Sequence, residues 1–441
     1  MENTKNQSIF KTFLAYSIPC IIGMFLTSFI IIVDGIFIGR KMGENGLAAI
    51  NLTLPVLYIL LAVTIMIGVG GVTLAAQSLG EKNKSRANHF FTFAFISSAV
   101  FNLVVMAILF LFQDGIVALL NAKGILTGYV RDYLGIMKYF YLFMMLNMIF
   151  TMFIRSEGKP QLSLLFGLFG NILNIILDYL LIMKFNYGMK GAAIASGLSV
   201  LIPFILGILY FLSKHSVYKF QRIHFAINDL QKMLFYGLAE FMAQISVSIT
   251  TYILNWVLLR RIGINGVAAL TIVGYVSFIQ NMIVSGIAVG IHPLISYHFG
   301  AQNRNFILDL LSIAMKAVVI VGIGIFLIVL LISGGLVKIF SKDNLELIKV
   351  AGLGLKLYSI SFIISGFNII AAAYFTSLGE AKQAAIVSIL RSLVLVIIFI
   401  LILPYIIGDT GIWLAGPVTE AITFILAYMW IKRSKIALQA V

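Results

Sequence analysis

The sequence predicts an all-α integral membrane protein: twelve transmembrane helices arranged as two six-helix lobes from an internal duplication. Three observations predict it. The 441 residues are 61% hydrophobic and only 11% charged, with a mean hydropathy of +1.06. Soluble domains carry about 25% charged residues, and a soluble protein of this composition would expose far too much apolar surface. The apolar runs are long and unbroken, without the period-two alternation of barrel strands. Finally, Arg40-Lys41-Met42-Gly43-Glu44-Asn45-Gly46-Leu47-Ala48-Ala49-Ile50 returns 220 residues later as Arg260-Arg261-Ile262-Gly263-Ile264-Asn265-Gly266-Val267-Ala268-Ala269-Leu270.

The repeat continues ungapped for some thirty positions. Val69-Gly70 matches Val289-Gly290, Gly80 matches Gly300 and Asn83 matches Asn303. Transporters are commonly built from such internal repeats. A fainter echo pairs Arg155-Ser156-Glu157-Gly158-Lys159-Pro160 with Thr376-Ser377-Leu378-Gly379-Glu380-Ala381-Lys382, and Gly191 and Gly411 open matching segments.

A span needs about 20 apolar residues. The runs that satisfy this are 13–38, 47–78, 88–112, 130–154, 161–183, 191–213, 230–258, 267–298, 306–332, 350–376, 383–407 and 411–431. The polar start, Met1 to Lys11, precedes a run too long for a signal-peptide core, so the first span is read as retained. The longest polar connection, Ser213 to Asp229, carries Lys214, His215, Lys219, Arg222 and His224. It divides the chain into an N-terminal lobe (1–215), a cytoplasmic linker (216–229) and a C-terminal lobe (230–441). Six spans per lobe make the repeats parallel, related by an axis along the membrane normal. With both termini in the cytoplasm of a multi-pass plasma-membrane protein, about 16 Lys and Arg fall inside and about 13 outside, in the sense of the positive-inside rule.

The net charge of +15 comes from short loops between spans, so it speaks for membrane topology rather than nucleic acid. The lone Cys20 allows neither an intrachain disulfide nor a cysteine metal site. No His-Glu-x-x-His, Gly-x-Ser-x-Gly or phosphate-binding loop occurs. The chain is therefore read as no enzyme, without a cofactor, and any transport must run on an ion gradient.

Ionisable groups inside apolar spans cost about 2.5–3.5 kcal/mol each on insertion scales, so each needs a reason. Asp34 lies in span one, Asn174 and Asp178 in span five and Ser196 in span six. The i, i+4 spacing of Asn174 and Asp178 puts both on one helix face. At 1.5 Å per residue, Asp34 sits about 13 Å beyond its span's midpoint, and Asp178 and Ser196 about 9 Å on the same outer side. Two carboxylates plus neutral oxygens suit a small hard cation, possible Na+ at Asp34, Asn174 and Asp178, or a shared proton. The same carboxylates at the rim would merely meet water or cap helices. The second-lobe matches are Leu254, Leu395, Phe399 and Gly416, so the ion chemistry is expected in the first lobe alone.

Asn147, Glu240, Gln244, Gln280, Asn281, Asn368 and Arg391 are also polar within spans. They are candidates either for a substrate cavity or for hydrogen bonds that hold the bundle together. Pro19, Pro55 and Pro293 sit within spans as candidate kinks; Pro19, fifteen residues before Asp34, is the candidate hinge.

These residues resemble the MATE family (multidrug and toxic compound extrusion). The resemblance rests on Pro19, Val33-Asp34 followed by Phe37-Ile38-Gly39, Gly46-Leu47-Ala48-Ala49, Ser156-Glu157-Gly158-Lys159-Pro160, Asn174 with Asp178, and Gly191-Ala192-Ala193. It covers nearly the whole chain. The length and Gly237-Leu238-Ala239-Glu240-Phe241 look closest to the bacterial MepA-like branch. The resemblance implies two lobes around a cleft with alternating access. It also implies outward antiport of drug-like cationic amphipathic compounds against Na+ or H+, and a cation or proton site at Asp34, Asn174, Asp178 and Ser196. Ser196 stands where relatives often carry Thr and keeps the hydroxyl. Val247 stands where some relatives carry an acid, which leaves a second-lobe ion site without its residue. The chain is taken as a monomer whose partners are the bilayer and the small-molecule substrate. The alternatives are a lipid-linked saccharide flippase of the same superfamily, which would want several cations in the cleft, and a passive channel with broken helices lining a filter.

Overall fold

Long apolar runs in a medium without water must pair their backbone groups internally, which leaves the helix as the economical solution. In the computed structural model, which describes residues 8–440 except 224 and 341–343, helices account for nearly all of the chain. The polar start before Ser8 and the linker's His224 lie outside the described residues. In order, the helices are α1 (Ile9–Gly80), α2 (Lys84–Leu119), α3 (Ile125–Ser156), α4 (Pro160–Asp178), α5 (Gly188–Leu212), α6 (Ile227–Arg261), α7 (Ile264–Gly300), α8 (Arg304–Phe340), α9 (Leu345–Tyr358), α10 (Ser361–Leu378), α11 (Ala381–Ile389), α12 (Leu395–Ile407) and α13 (Thr410–Ala440). Two π-helical segments, Tyr179–Lys184 and Leu390–Val394, join α4 to the turn before α5 and α11 to α12. Eleven helical stretches among the described residues are long and apolar enough to cross a membrane.

The first of these is two expected spans in one. α1 runs 72 residues and departs from helical geometry only at Gly43, where φ is 64° and ψ −155°. That conformation suits glycine alone. The matching glycine of the repeat, Gly263, adopts φ 84° and ψ −157° ahead of α7. The duplication is thus written in the backbone: Lys82 and Gln302 also share a positive φ (60° and 56°), as do Gly188 and Gly408 (55° and 70°). Asn83 and Asn303 each accept a backbone N–H three residues on, the N-cap role for which asparagine is favoured.

Two expectations about continuity change. The run 350–376 is not one helix: it stops at Tyr358 and restarts at Ser361. Ser359 and Ser361 turn their hydroxyls back onto the carbonyls of Lys356 and Tyr358, an alternative to the helical ladder that serine offers. The prolines at 19, 55 and 293 lie inside helices without a departure from helical geometry, and the departures fall instead at Gly43 and Phe112.

Contacts divide the chain into two compact units. One comprises Ile22–Gly237; the other comprises Leu238–Val441 with the described part of Glu2–Ile21. The division therefore differs from the one expected at the linker. The reason is hydrogen bonding: the buried Glu157 carboxylate accepts Ser216 Oγ at 2.5 Å and the N–H groups of Val217 and Tyr218 at 3.0 and 2.9 Å. Lys219 N–H reaches Asn88 and Gln221 N–H reaches Thr92. The linker and the start of α6 are thereby part of the first unit.

The first unit has two apolar cores. One is aromatic, built on Phe91, Phe150, Phe153, Phe211 and Tyr218 at the linker end. The other, around Ile38, Leu134, Met145, Ile182 and Ala193, lies toward the Gly43 end. The second unit packs Val257, Val273, Leu355, Phe362 and Trp413 together.

Candidate ion-binding site

Asp34 sits on α1 before the Gly43 break, Asn174 and Asp178 on the last turns of α4, and Ser196 on α5. The apolar core around Ile38, Ile182 and Ala193 holds these three helices together. α4 passes into the π-helical segment at Tyr179, immediately after Asp178. Such insertions re-aim side chains and frequently occur at functional sites. Gly191 lets α5 close onto this segment, since a Cβ there would lie 3.0 Å from the Leu181 carbonyl oxygen.

The packing brings Asp34 and Asp178 within hydrogen-bonding reach of each other. Asp178 is 1% exposed and Asn174 3%. Two carboxylates have no hydrogen to share when both are ionised, so their contact requires one proton or an intervening cation. Ser196 joins the set through Tyr133 of α3, which hydrogen-bonds it and stands close to both carboxylates. Tyr133 is the member that sequence reasoning missed. Tyrosine is too common in membrane spans to draw notice, and no spacing links it to Asp34.

One oxygen each of Asp34, Asn174 and Asp178 is buried without a hydrogen-bond donor. Orphaned acceptors cost about 1–3 kcal/mol each when nothing meets them. Hard oxygen ligands of this kind suit Na+, and the carboxyl pair equally suits a proton. No group of three or more His, Cys, Asp and Glu is found among the described residues, so the set is two carboxylates and an amide.

The remaining polar candidates separate. Asn147 of α3 is in the first unit, with its Oδ1 buried and unmet. Gln244 and Asn281 are exposed, and Asn281 turns back onto the Ser277 carbonyl. The rest fall inside the second unit. Gln280 donates to Ser365 at 3.2 Å. Asn368 donates to the Glu420 carboxylate at 2.7 Å, and Arg391 pairs with that carboxylate at 2.7 Å. Glu240 stands close enough to Arg391 to feel its charge. Gln280, Asn368 and Arg391 therefore hold helices of the second unit together. Arg391 sits on the second π-helical segment, as Asp178 sits beside the first. Glu420 also went unremarked in the sequence, although a single carboxylate in the run 411–431 was signal enough.

The MatE family model matches residues 19–180 and 240–402, one match in each repeat. The chain belongs to the MatE family. Among curated relatives, the multidrug export protein MepA of Staphylococcus haemolyticus (strain JCSC1435) is 27% identical over 426 residues, covering 96% of this chain and 93% of its own. The multidrug export protein MepA of Staphylococcus aureus (strain MSSA476) is 26% identical over 424 residues, with 96% and 93% covered. Among solved structures, a crystal structure of MATE in complex with MaL6 superposes with a TM-score of 0.91 at 22% identity, covering 99% of this chain and 98% of that one. The MatE chain described here is thus MepA-like over its length and has the MATE fold: all-α, multi-pass and membrane-embedded.

Proposed function

We propose that this MatE protein is a secondary active multidrug efflux antiporter of the plasma membrane, exporting cationic amphipathic compounds in exchange for Na+ or H+. The observation that carries the proposal is the carboxyl pair Asp34–Asp178, buried with Asn174 among orphaned oxygens. Two relatives named for multidrug export support the choice of substrate class. The coupling ion is substrate here, held by Asp34, Asn174 and Asp178, with Ser196 and Tyr133 completing the polar wall. Both termini face the cytoplasm in this reading, which puts the pair toward the outer side.

The cycle follows from electrostatics. With both carboxyls ionised and nothing between them, their repulsion in an apolar medium forces α1 and α4 apart locally. A proton or Na+ removes the repulsion and lets α1 settle against α4. Asp34 lies on the same arm of α1 as Pro19, the hinge candidate, two residues before the point where the chain passes from one unit to the other. Ion and drug are then coupled through the state of α1, and the coupling is reciprocal: each lowers the other's affinity by the same factor.

Ethidium efflux from proteoliposomes under an imposed Na+ gradient, then an imposed proton gradient, tests this. Efflux is expected under one gradient and is lost in Asp34→Asn, while the variant's thermal unfolding stays close to that of the parent. Undiminished efflux in Asp34→Asn would sink the proposal.

A further inference from the structure

We propose that the groove between α2 and α3, at the Gly43 end of the first unit, binds the phosphodiester headgroup of a membrane phospholipid. The inference starts from a lysine that the transport site does not use. Lys138 lies in the membrane-spanning part of α3, yet its charge has no carboxylate partner among the described residues. Its Nζ meets the Gln113 side-chain oxygen at 2.7 Å and the face of Phe110 at 4.4 Å from the ring centroid. Its Cα is thirteen residues from the start of α3, about 20 Å of helix, while Gln113 is six residues from the end of α2, about 9 Å. The side chain is therefore drawn out along the bundle surface toward the interface, as lysine does when its stem is in hydrocarbon and its charge seeks a polar group.

The two residues that Lys138 meets, Phe110 and Gln113, also line an adjacent cavity of about 510 Å³, together with Leu111, Phe112, Asp114, Gly115 and Arg131. α2 breaks at Phe112, within this lining, where φ is −123° and ψ 24°. A Cβ at Gly115 would meet nothing within 4 Å, while one at Gly135 would lie 3.1 Å from the Gln113 amide nitrogen. Gly135 thus makes room for Gln113, whose amide donates to the Arg131 carbonyl at 3.0 Å and whose oxygen holds Lys138.

The charges decide the ligand. Arg131 pairs with Asp114 at 2.9 Å, and both are well exposed at 55% and 74%. Lys138 stands directly behind the Gln113 and Phe110 wall, so the groove and its wall carry two cations and one carboxylate, a net single positive charge that suits a singly charged anion. Leu111 and Phe112, 76% and 61% exposed, offer apolar surface directly beside that charge. A phospholipid meets this description, since its phosphodiester is a singly charged anion attached to hydrocarbon and lies where membrane-spanning helices end. By the orientation proposed above, it belongs to the outer leaflet.

The full-length protein, delipidated in detergent, tests the site by native mass spectrometry with dioleoylphosphatidylglycerol, dioleoylglycerol and inorganic phosphate as probes. One tightly held phosphatidylglycerol is expected, weakened at least tenfold in Lys138→Gln/Arg131→Gln and unchanged in Lys432→Gln of α13, which belongs to the other unit. Equal retention by the double variant, equal binding of the phosphate-free dioleoylglycerol, or competition by inorganic phosphate at matched concentration would each overturn the proposal. Should the double variant fail to fold, Lys138→Gln is compared with Lys138→Arg. Binding kept only by the arginine supports the site, and equal affinity in the two overturns it.

Discussion

At the scale of single residues, the protein separates two ways of keeping charge inside a membrane. In the first unit, Asp34 and Asp178 face each other with no cation side chain between them. In the second, Glu420 is satisfied by Arg391 and Asn368. The first arrangement has no cationic side chain to neutralise it, as the proposed ion site requires, and the second is closed by a guanidinium. The closed one should therefore answer to mutation as a structural pair. Removing one partner of a buried pair costs about 3–5 kcal/mol because the other charge is stranded, whereas replacing both by apolar groups is often neutral. Glu420→Gln is expected to lower the unfolding temperature in detergent sharply, and Arg391→Met/Glu420→Met to recover much of the loss. Equal destabilisation by the single and double changes would mean that the pair is not what holds these helices. At the proposed ion site, Tyr133→Phe removes the bond to Ser196 while keeping the ring. Its expected signature is weaker coupling in the efflux assay without loss of expression.

Asp34 and Asp178 are legible in the sequence because a carboxylate in hydrocarbon is costly enough to demand a reason, and Asn174 because it stands four residues before Asp178 on the same helix face. Tyr133 is not, because a tyrosine in a span is cheap. Lys138 and Glu420 carry the same costly signal as Asp34, although no motif points to either of them.

At the scale of elements, glycines decide where helices cross. A Cβ on Gly70 would lie 1.8 Å from the Met233 carbonyl oxygen, and one on Gly237 1.9 Å from that of Met66. The second arm of α1 and the start of α6 thus approach backbone to backbone, the close packing that small residues allow in membranes. Neither contact can relax by rotating a side chain. Gly70→Ala and Gly237→Ala should each cost about 1–3 kcal/mol, read as lowered thermal stability of the purified protein, while Gly167→Ala, with open space around it, should cost far less. Spans are the most legible level, since a run of about 20 apolar residues matches the thickness of a bilayer's hydrocarbon core. Their interruptions are not legible. The break between Tyr358 and Ser361 and the two π-helical segments carry no glycine or proline, and the serines that turn the chain at the break are too common in spans to announce it. They are set by packing, which hydropathy does not encode.

At the scale of the whole molecule, the linker carries a titratable lock. Glu157 is 5% exposed. Burial lifts its carboxyl above the ordinary glutamate value of 4.5, against the opposing pull of bonds from Ser216, Tyr210 and the Tyr218 N–H and of the Lys159 charge. A raised folded value means that the folded protein binds the proton more tightly than the unfolded chain. That contribution is fully present below 4.5 and is lost as pH climbs through the higher folded value. Melting curves taken from pH 4.5 upward should show this loss in the parent, and Glu157→Gln should lack that component of the slope. The same slope in both would place the effect at another group.

The division of the chain also shows what each repeat lacks. The opening segment of the first repeat, up to Ile21, belongs with the second unit, and the opening segment of the second repeat, up to Gly237, belongs with the first. The two crossing points fall at nearly the same place in the repeat, given its 220-residue offset. Each half is thus an incomplete protein whose missing piece is the leading peptide of the other. A half-length chain could complete itself only by trading that peptide with a second copy, at a rate set by concentration. Joining the halves in one polypeptide replaces that encounter with a tethered one. Two fragments cut within 216–226 and produced together should accordingly find each other, whereas either alone should lack the helical segment that its unit takes from the other half.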